Sequence, residues 1–241
     1  MYTNVGQEQI VSDLGSRIAA TIDAGPARRV WVPADFAAMG SRDAIDKTLQ
    51  RLVAAGSLRR IDRGLYDRPV INTLTKRPTV PDYREILDAL ARRDQIRMLV
   101  DGMTAANDLG LTDAVPARVT IHTDARRRTI RIENLVIEFK LTAPSRLYWA
   151  GRPAMRVIQA LHWLKDTLPR DGDTIRGRLA AIFADSRSGP AIAQDLQQGF
   201  SVLPAWIQAF MRTVPGFDLH SPLPPVKRAR AKKTAVRERA T

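Results

Sequence analysis

Residues 30–69, VWVPADFAAMGSRDAIDKTLQRLVAAGSLRRIDRGLYDRP, decide the fold that we predict for this chain. A short helix (33–39) opens with proline, which suits the first helical position. Ser41 is a natural N-cap for a longer helix whose apolar residues repeat with helical spacing. Two short strands, 58–62 and 65–68, then form a hairpin around an Arg-Gly turn.

The spacing of the apolar residues in the first hairpin strand predicts an irregularity. Leu58 and Ile61 are three positions apart, whereas the side chains on one face of a regular strand are two apart. A β-bulge, or burial of only one of the two residues, would account for this spacing.

The segments before the quoted stretch complete a recognisable order. Residues 7–24 have the apolar spacing of a helix, and residues 28–33 are a short strand candidate. The order is therefore helix, strand, short helix, longer helix and hairpin, which predicts a winged helix-turn-helix over residues 1–69. In such a domain the longer helix enters the major groove of DNA and the hairpin, or wing, follows the backbone.

Positive charge is concentrated on the two elements that would meet DNA. Four arginines (Arg59, Arg60, Arg63 and Arg68) surround Gly64 on the hairpin, and the outward face of the longer helix carries Arg42, Lys47, Gln50 and Arg51. Such side chains reach phosphates and base edges. Two alternatives stay open. In one, the hairpin arginines contact only solvent; in the other, the winged domain binds a protein. Asp43 and Asp46 on the helix count against DNA binding, because they would repel phosphate.

The rest of the chain predicts a second domain. Residues 70–81 contain three prolines and no helical period, which indicates a linker. Residues 82–221 combine helices with a strand at 96–100 and three further strands. Those three strands, at 118–123, 127–132 and 135–141, are joined by short turns and predict an antiparallel meander. The predicted fold class is α+β.

Composition limits the partners. The chain has 241 residues, 44% of them hydrophobic, and a formal net charge of +13. Residues 222–241 contain seven basic residues and one acidic residue, so this tail carries nearly half of the excess charge. We expect it to be disordered. It would act either as a solubilising extension or as an anchor that binds phosphate without reading sequence.

Several classes of site are not indicated by the sequence. There is no cysteine, and the three histidines lack metal-ligand spacing. No apolar run approaches the roughly 20 residues that span a bilayer, and no signal peptide is evident, so we expect a cytoplasmic protein without a membrane partner. Asp171-Gly172-Asp173 is interpreted as a capping turn between two helices. We expect no enzymatic activity, no metal and no cofactor.

Two stretches resemble a known family. Residues 30–69 resemble the N-terminal winged domain of AbiEi-type antitoxins, and the stretch GMTAANDLGLTDAVPARVTIHTDARRRTIRIENLVIEFK (102–140) is similar to their second domain. The second match is the more distinctive one, with its Thr-Ala-Ala-Asn, Leu-Gly-Leu and Val-Pro-Ala groups between residues 104 and 117. Together the resemblance covers about residues 5–146.

The resemblance implies a function. Such antitoxins belong to bacterial type IV toxin–antitoxin (abortive infection) systems. They repress their own operon by binding inverted repeats in its promoter, and their C-terminal region counteracts a nucleotidyltransferase-like toxin. The residues expected to contact double-stranded promoter DNA are Ser41, Arg42, Lys47, Gln50, Arg51, Arg59, Arg60 and Arg63. The alternatives are a winged-helix regulator without a toxin partner and, less well supported, an enzyme that acts on nucleic acid.

Overall fold

The computed structural model describes residues 5–219, the first eight of them by their backbone alone. The basic tail, 222–241, for which we expect disorder, lies outside these residues. The chain forms two compact units that divide after Ile175. The structure is a mixture of helices and small sheets, which confirms the α+β class.

The first elements follow the predicted order. They are helix α1 (Val5–Ala24), strand β1 (Val30–Trp31), a 3₁₀ helix (Pro33–Met39), helix α2 (Arg42–Ala54), and strands β2 (Arg59–Asp62) and β3 (Leu65–Asp67). The three strands form an antiparallel sheet in the order β1-β3-β2. The register shifts between Arg60 and Asp62, which confirms the predicted bulge.

A single apolar core holds these elements together. Trp31 of β1 stacks on Phe36 of the 3₁₀ helix, with 5.4 Å between the ring centres. The other buried members come from α1, α2, the residue before β2 and the sheet: Leu14, Ile18, Ile22, Ile45, Leu49, Leu58 and Tyr66. Because the apolar stripe of α2 faces this core, its opposite side is exposed to solvent.

The segment predicted to be a linker has local structure. Ile71 and Pro78 form an isolated antiparallel bridge, and the Asn72 side chain accepts hydrogen bonds from the backbone amides of Leu74 and Thr75. Residues 70–79 therefore form a closed loop rather than an extended connection. Whether residues 1–69 fold as a separate domain stays a prediction.

Helix α3 (Tyr83–Asp94) contacts the first set of elements directly. The guanidinium of Arg92 donates to the backbone carbonyl of Val30 at 2.7 Å and lies 3.5 Å from the carboxylate of Asp35. The first sheet and α3 therefore belong to the same compact unit, Met1–Ile175.

The predicted meander is wrong in its order. Strands β4 (Met98–Val100), β5 (Val119–Thr123), β6 (Ile130–Ile132) and β7 (Leu135–Leu141) form a mixed sheet in the order β4-β5-β7-β6. β6 and β7 form an antiparallel hairpin, but β5 pairs with β7 in parallel. The chain therefore leaves β5, crosses the end of β7 in residues 124–129, and returns as the edge strand β6.

The remaining helices complete the two units. Helix α4 (Gly102–Asp108) and a 3₁₀ helix (Pro144–Arg146) lie in the first unit, as does α5 (Met155–Leu164). Helix α6 (Leu168–Ala184) crosses the unit boundary, and α7 (Gly189–Gln198), a 3₁₀ helix (Phe200–Val202) and α8 (Ala205–Met211) lie in the second.

The acidic pair at 171 and 173 lies within helix α6. The predicted capping turn is therefore wrong, because the helix already begins at Leu168. Among the side chains of residues 13–219, no group of three potential metal ligands comes together. No helix in the described part of the chain is long and apolar enough to cross a membrane.

Close packing between α4 and α5 depends on a glycine. Asp101 caps α4, and its carboxylate accepts bonds from the amides of Met103 and Thr104. At the next position, a Cβ on Gly102 would lie 2.6 Å from the carbonyl oxygen of Gln159 and 2.6 Å from the Cβ of Trp163. Both distances are too short, so α5 could not keep its present position against a larger residue.

We therefore expect Gly102→Ala to lower the free energy of unfolding by about 1–3 kcal/mol, because the added methyl group overpacks this contact. Urea denaturation followed by circular dichroism measures the effect. Gly177→Ala is the matched control. A Cβ there has no atom within 4 Å, and the residue lies inside α6. This control should raise stability by about 0.5–1 kcal/mol. Equal effects of the two substitutions would contradict the packing argument.

Candidate functional site

A cavity of about 730 Å³ lies on the exposed side of α2. Its walls come from α2, the β2–β3 hairpin, the end of α3 and the 124–129 segment that connects β5 to β6. We call it the arginine groove. Its lining residues are Arg42, Asp46, Gln50, Arg60, Asp62, Arg63, Gly64, Tyr66, Arg93, Asp94, Arg126, Arg127 and Arg128.

The groove is strongly basic. Seven arginines and three aspartates line it, which gives a net charge of +4. Arg42 pairs with Asp46 at 2.9 Å. Four of the arginines form no ion pair with the side chains of residues 13–219, which the structure describes: Arg60, Arg63, Arg126 and Arg128. Guanidinium groups without a protein partner are available to bind phosphate or carboxylate, which they can contact through two parallel hydrogen bonds.

The strand order explains why the 124–129 segment reaches this groove. Since β7 lies between β5 and β6, the connection must pass over the end of the sheet. The edge strand β6 contacts β2, so the segment lies beside the hairpin. Arg126, Arg127 and Arg128 are thereby placed opposite Arg60 and Arg63.

The structure brings together half of the residues predicted to contact DNA. Arg42, Gln50, Arg60 and Arg63 line the arginine groove. The other four do not: Ser41, Lys47, Arg51 and Arg59. The Ser41 hydroxyl accepts a bond from the amide of Ala44 at 3.4 Å, which is the predicted capping role. Lys47 and Arg51 are exposed on α2 outside the groove lining.

Arg59 is a structural residue. Its guanidinium donates two bonds to the carboxylate of Asp67, at 3.0 and 2.6 Å, and a third to the carbonyl of Thr79 at 2.9 Å. Asp67 is only 4% exposed. The hydrogen bond to Asp67 raises the pKa of Arg59 above its ordinary value. The side chain therefore neutralises a buried carboxylate and holds the 70–79 loop against β2.

Residues that the sequence reasoning missed form a network across the groove. Asp94 accepts three bonds from Arg93, at 2.9–3.1 Å, and also pairs with Arg127. Arg93 uses its remaining amino group, Nη1, to donate to the carbonyl of Arg63 at the β2–β3 turn. The only local signal was the run of three arginines at 126–128 in a strand connection.

A second basic cavity, of about 400 Å³, is less suitable for a ligand. It lies between α3, β4 and the start of α5. Two of its arginines, Arg84 and Arg156, pair with Asp108, at 2.6 and 3.0 Å. The Tyr83 hydroxyl donates to the same carboxylate, and burial together with this bond raises the pKa of Tyr83. Because Arg84 and Arg156 already pair with Asp108, they are less available to a ligand. The arginine groove is therefore the stronger candidate for a ligand-binding site.

Comparison with known proteins adds a family but no function. Residues 17–173 match the model of a family described as a family of unknown function, DUF6088. A search of curated proteins found no match. A crystal structure of the RV2827C protein from Mycobacterium tuberculosis is similar over 82% of this chain and 75% of that chain, with 18% identity and a TM-score of 0.38. A TM-score this low supports no conclusion about this chain.

Unfolding measurements distinguish the structural role of Arg59 from that of Arg60, which lines the groove. We expect Arg59→Ala to lower the free energy of unfolding by about 3 kcal/mol, because it leaves the buried carboxylate of Asp67 without its partner. The neighbouring Arg60→Ala removes an exposed side chain and should change stability by less than about 0.5 kcal/mol. Urea unfolding of both variants tests this. Equal stabilities would mean that the Arg59–Asp67 pair contributes nothing.

Proposed function

The chain belongs to the DUF6088 family, whose function is unknown, and we propose from the arginine groove that it binds double-stranded promoter DNA. The observation that carries the proposal is the group of four arginines beside the exposed face of α2 that have no ion-pair partner among the described side chains. Duplex DNA presents a dense line of phosphates, which is the ligand that such a group favours.

The arrangement of the elements around α2 supports this ligand. The order of helices and strands and the β1-β3-β2 sheet are those expected of a winged helix. With 13 residues, α2 is about 20 Å long, and an α-helix fits the major groove, which is about 12 Å wide. In this proposal α2 supplies Arg42 and Gln50 to the bases or the adjacent backbone. Arg60 and Arg63 on the wing bind the phosphates beside it.

The biological role that we propose follows from the sequence resemblance to AbiEi-type antitoxins. The chain would bind inverted repeats in its own promoter and repress the operon. Its C-terminal region would counteract a nucleotidyltransferase-like toxin encoded by a neighbouring gene. This role requires neither a cofactor nor a catalytic step, and it places the protein in the bacterial cytoplasm.

The proposal is tested by measuring the affinity of the purified protein for its own promoter fragment and for a scrambled duplex at several salt concentrations. At physiological salt, we expect the protein to bind the promoter at least about a hundredfold more tightly than the scrambled duplex. Equal binding of both duplexes would indicate that the winged elements do not read sequence. If removal of residues 222–241 then also abolished the salt dependence, the tail would be the nucleic-acid binder.

Arg63→Ala should weaken promoter binding by about 1 kcal/mol or more and reduce the slope of log affinity against log salt by about one, because one phosphate contact is lost. Fluorescence anisotropy at several salt concentrations measures both quantities. Arg131→Ala is the matched control. Arg131 is an exposed arginine in β6 that does not line the groove. An unchanged slope in Arg63→Ala would remove the wing from the interface.

Co-expression separates the antitoxin role from that of a general regulator. If a nucleotidyltransferase-like gene lies beside this one, the chain should relieve the growth inhibition caused by its product. A variant with Arg60→Ala and Arg63→Ala should lose repression while keeping this protection, because the substitutions lie outside the C-terminal region. A promoter that is repressed without any such neighbour would support a winged-helix regulator that has no toxin partner.

A further inference from the structure

Asp94 is an acidic residue in a groove that otherwise favours anions. Local helix chemistry does not explain it, because it is the last residue of α3, where the helix dipole disfavours a carboxylate. It also lies among arginines that the proposed ligand would need. The reason for a carboxylate at this position must therefore lie in the side chains that it contacts.

Those contacts join the two walls of the groove. Arg93 and Arg127 both pair with the carboxylate of Asp94, and each of the three side chains is only about one-fifth exposed, at 20–21%. Arg93 extends the connection to the wing through the carbonyl of Arg63. Arg127 extends it to the 124–129 segment. The chain of contacts runs from the wing turn to the opposite wall through one carboxylate.

The wing turn is shaped to receive this contact. Gly64 has a φ of +68°, in the left-handed region that glycine adopts without a steric penalty. The Arg93 side chain packs beside it, with its Nη1 atom 3.5 Å and its Cδ atom 3.7 Å from the position of a Cβ. Arg93 therefore lies beside the turn and contacts it through its hydrogen bond to the carbonyl of Arg63.

We propose that Asp94 is a positioning residue for DNA binding. It holds the wing and the 124–129 segment at a fixed separation, so that Arg60 and Arg63 on one wall and Arg126 and Arg128 on the other present one set of phosphate contacts. This inference rests on the proposed DNA-binding function. Without the carboxylate, the neighbouring guanidinium groups of Arg93 and Arg127 repel each other and the two walls separate.

The sign of the effect of neutralising Asp94 tests the inference. Removing a negative charge from a DNA site should by itself increase affinity, because phosphate is repelled less. A positioning role requires the opposite. Asp94→Asn should weaken promoter binding by about fivefold or more, equivalent to about 1 kcal/mol. The salt slope should also become shallower, because fewer phosphates are contacted at once.

Asp62→Asn provides the matched control. Asp62 lines the same groove and is exposed, and it forms no ion pair within the described part of the chain. This variant should bind promoter DNA slightly more tightly than the native protein. Asp94→Glu keeps the carboxylate and should retain most of the affinity. If Asp94→Asn binds as tightly as the native protein or as Asp62→Asn, the inference is overturned.

A measurement without DNA distinguishes failure of the inference from failure of the proposed function. The chain contains no cysteine, so spin labels attach only to cysteines that are introduced. We place one by Asp62→Cys on the wing and one by Thr129→Cys on the 124–129 segment. We expect a narrow distribution of dipolar couplings between the labels, which broadens when Asp94→Asn is added while the far-ultraviolet circular dichroism is unchanged. A distribution that stays narrow overturns the inference, whether or not the native protein binds DNA.

Discussion

The parallel pairing of β5 with β7 determines where the 124–129 segment lies, and with it one wall of the arginine groove. A parallel pair cannot be joined by a tight turn, so the chain after β5 must cross the sheet end before it returns as β6. That crossing brings three consecutive arginines next to the hairpin of the first sheet. In the predicted antiparallel meander, the same residues would instead form a short turn between two neighbouring strands.

Adjacent side chains on one strand acquire opposite roles for a simple geometric reason. Successive residues of a strand point to opposite sides of the sheet. Arg59 therefore points toward Asp67 and the carbonyl of Thr79, while Arg60 lines the groove. The basic composition of the hairpin thus combines two requirements. One arginine neutralises a buried carboxylate, and its neighbours are available to a ligand.

Local features of the structure could be predicted from the sequence, whereas contacts between distant segments could not. Helical spacing and the cap at Ser41 gave α2, and the spacing of Leu58 and Ile61 gave the bulge in β2. The partner of a strand depends on pairing energies that single-sequence periodicity does not contain, so the order β5-β7-β6 was missed. The pair formed by Asp94 and Arg127 links residues 33 positions apart for the same reason. Of the 13 residues that line the arginine groove, four were predicted as DNA contacts: Arg42, Gln50, Arg60 and Arg63.

The hydrogen bonds from α3 to the first sheet limit how this protein can exchange its parts during evolution. The guanidinium of Arg92 donates to the carbonyl of Val30, and that of Arg93 to the carbonyl of Arg63. Backbone carbonyls occur in every sequence, but the arginines that reach them belong to the following segment. Recombination that joined residues 1–69 to a different continuation would leave both bonds unmade. Residues 1–69 and the segment after them are therefore expected to be inherited together rather than shuffled as independent modules.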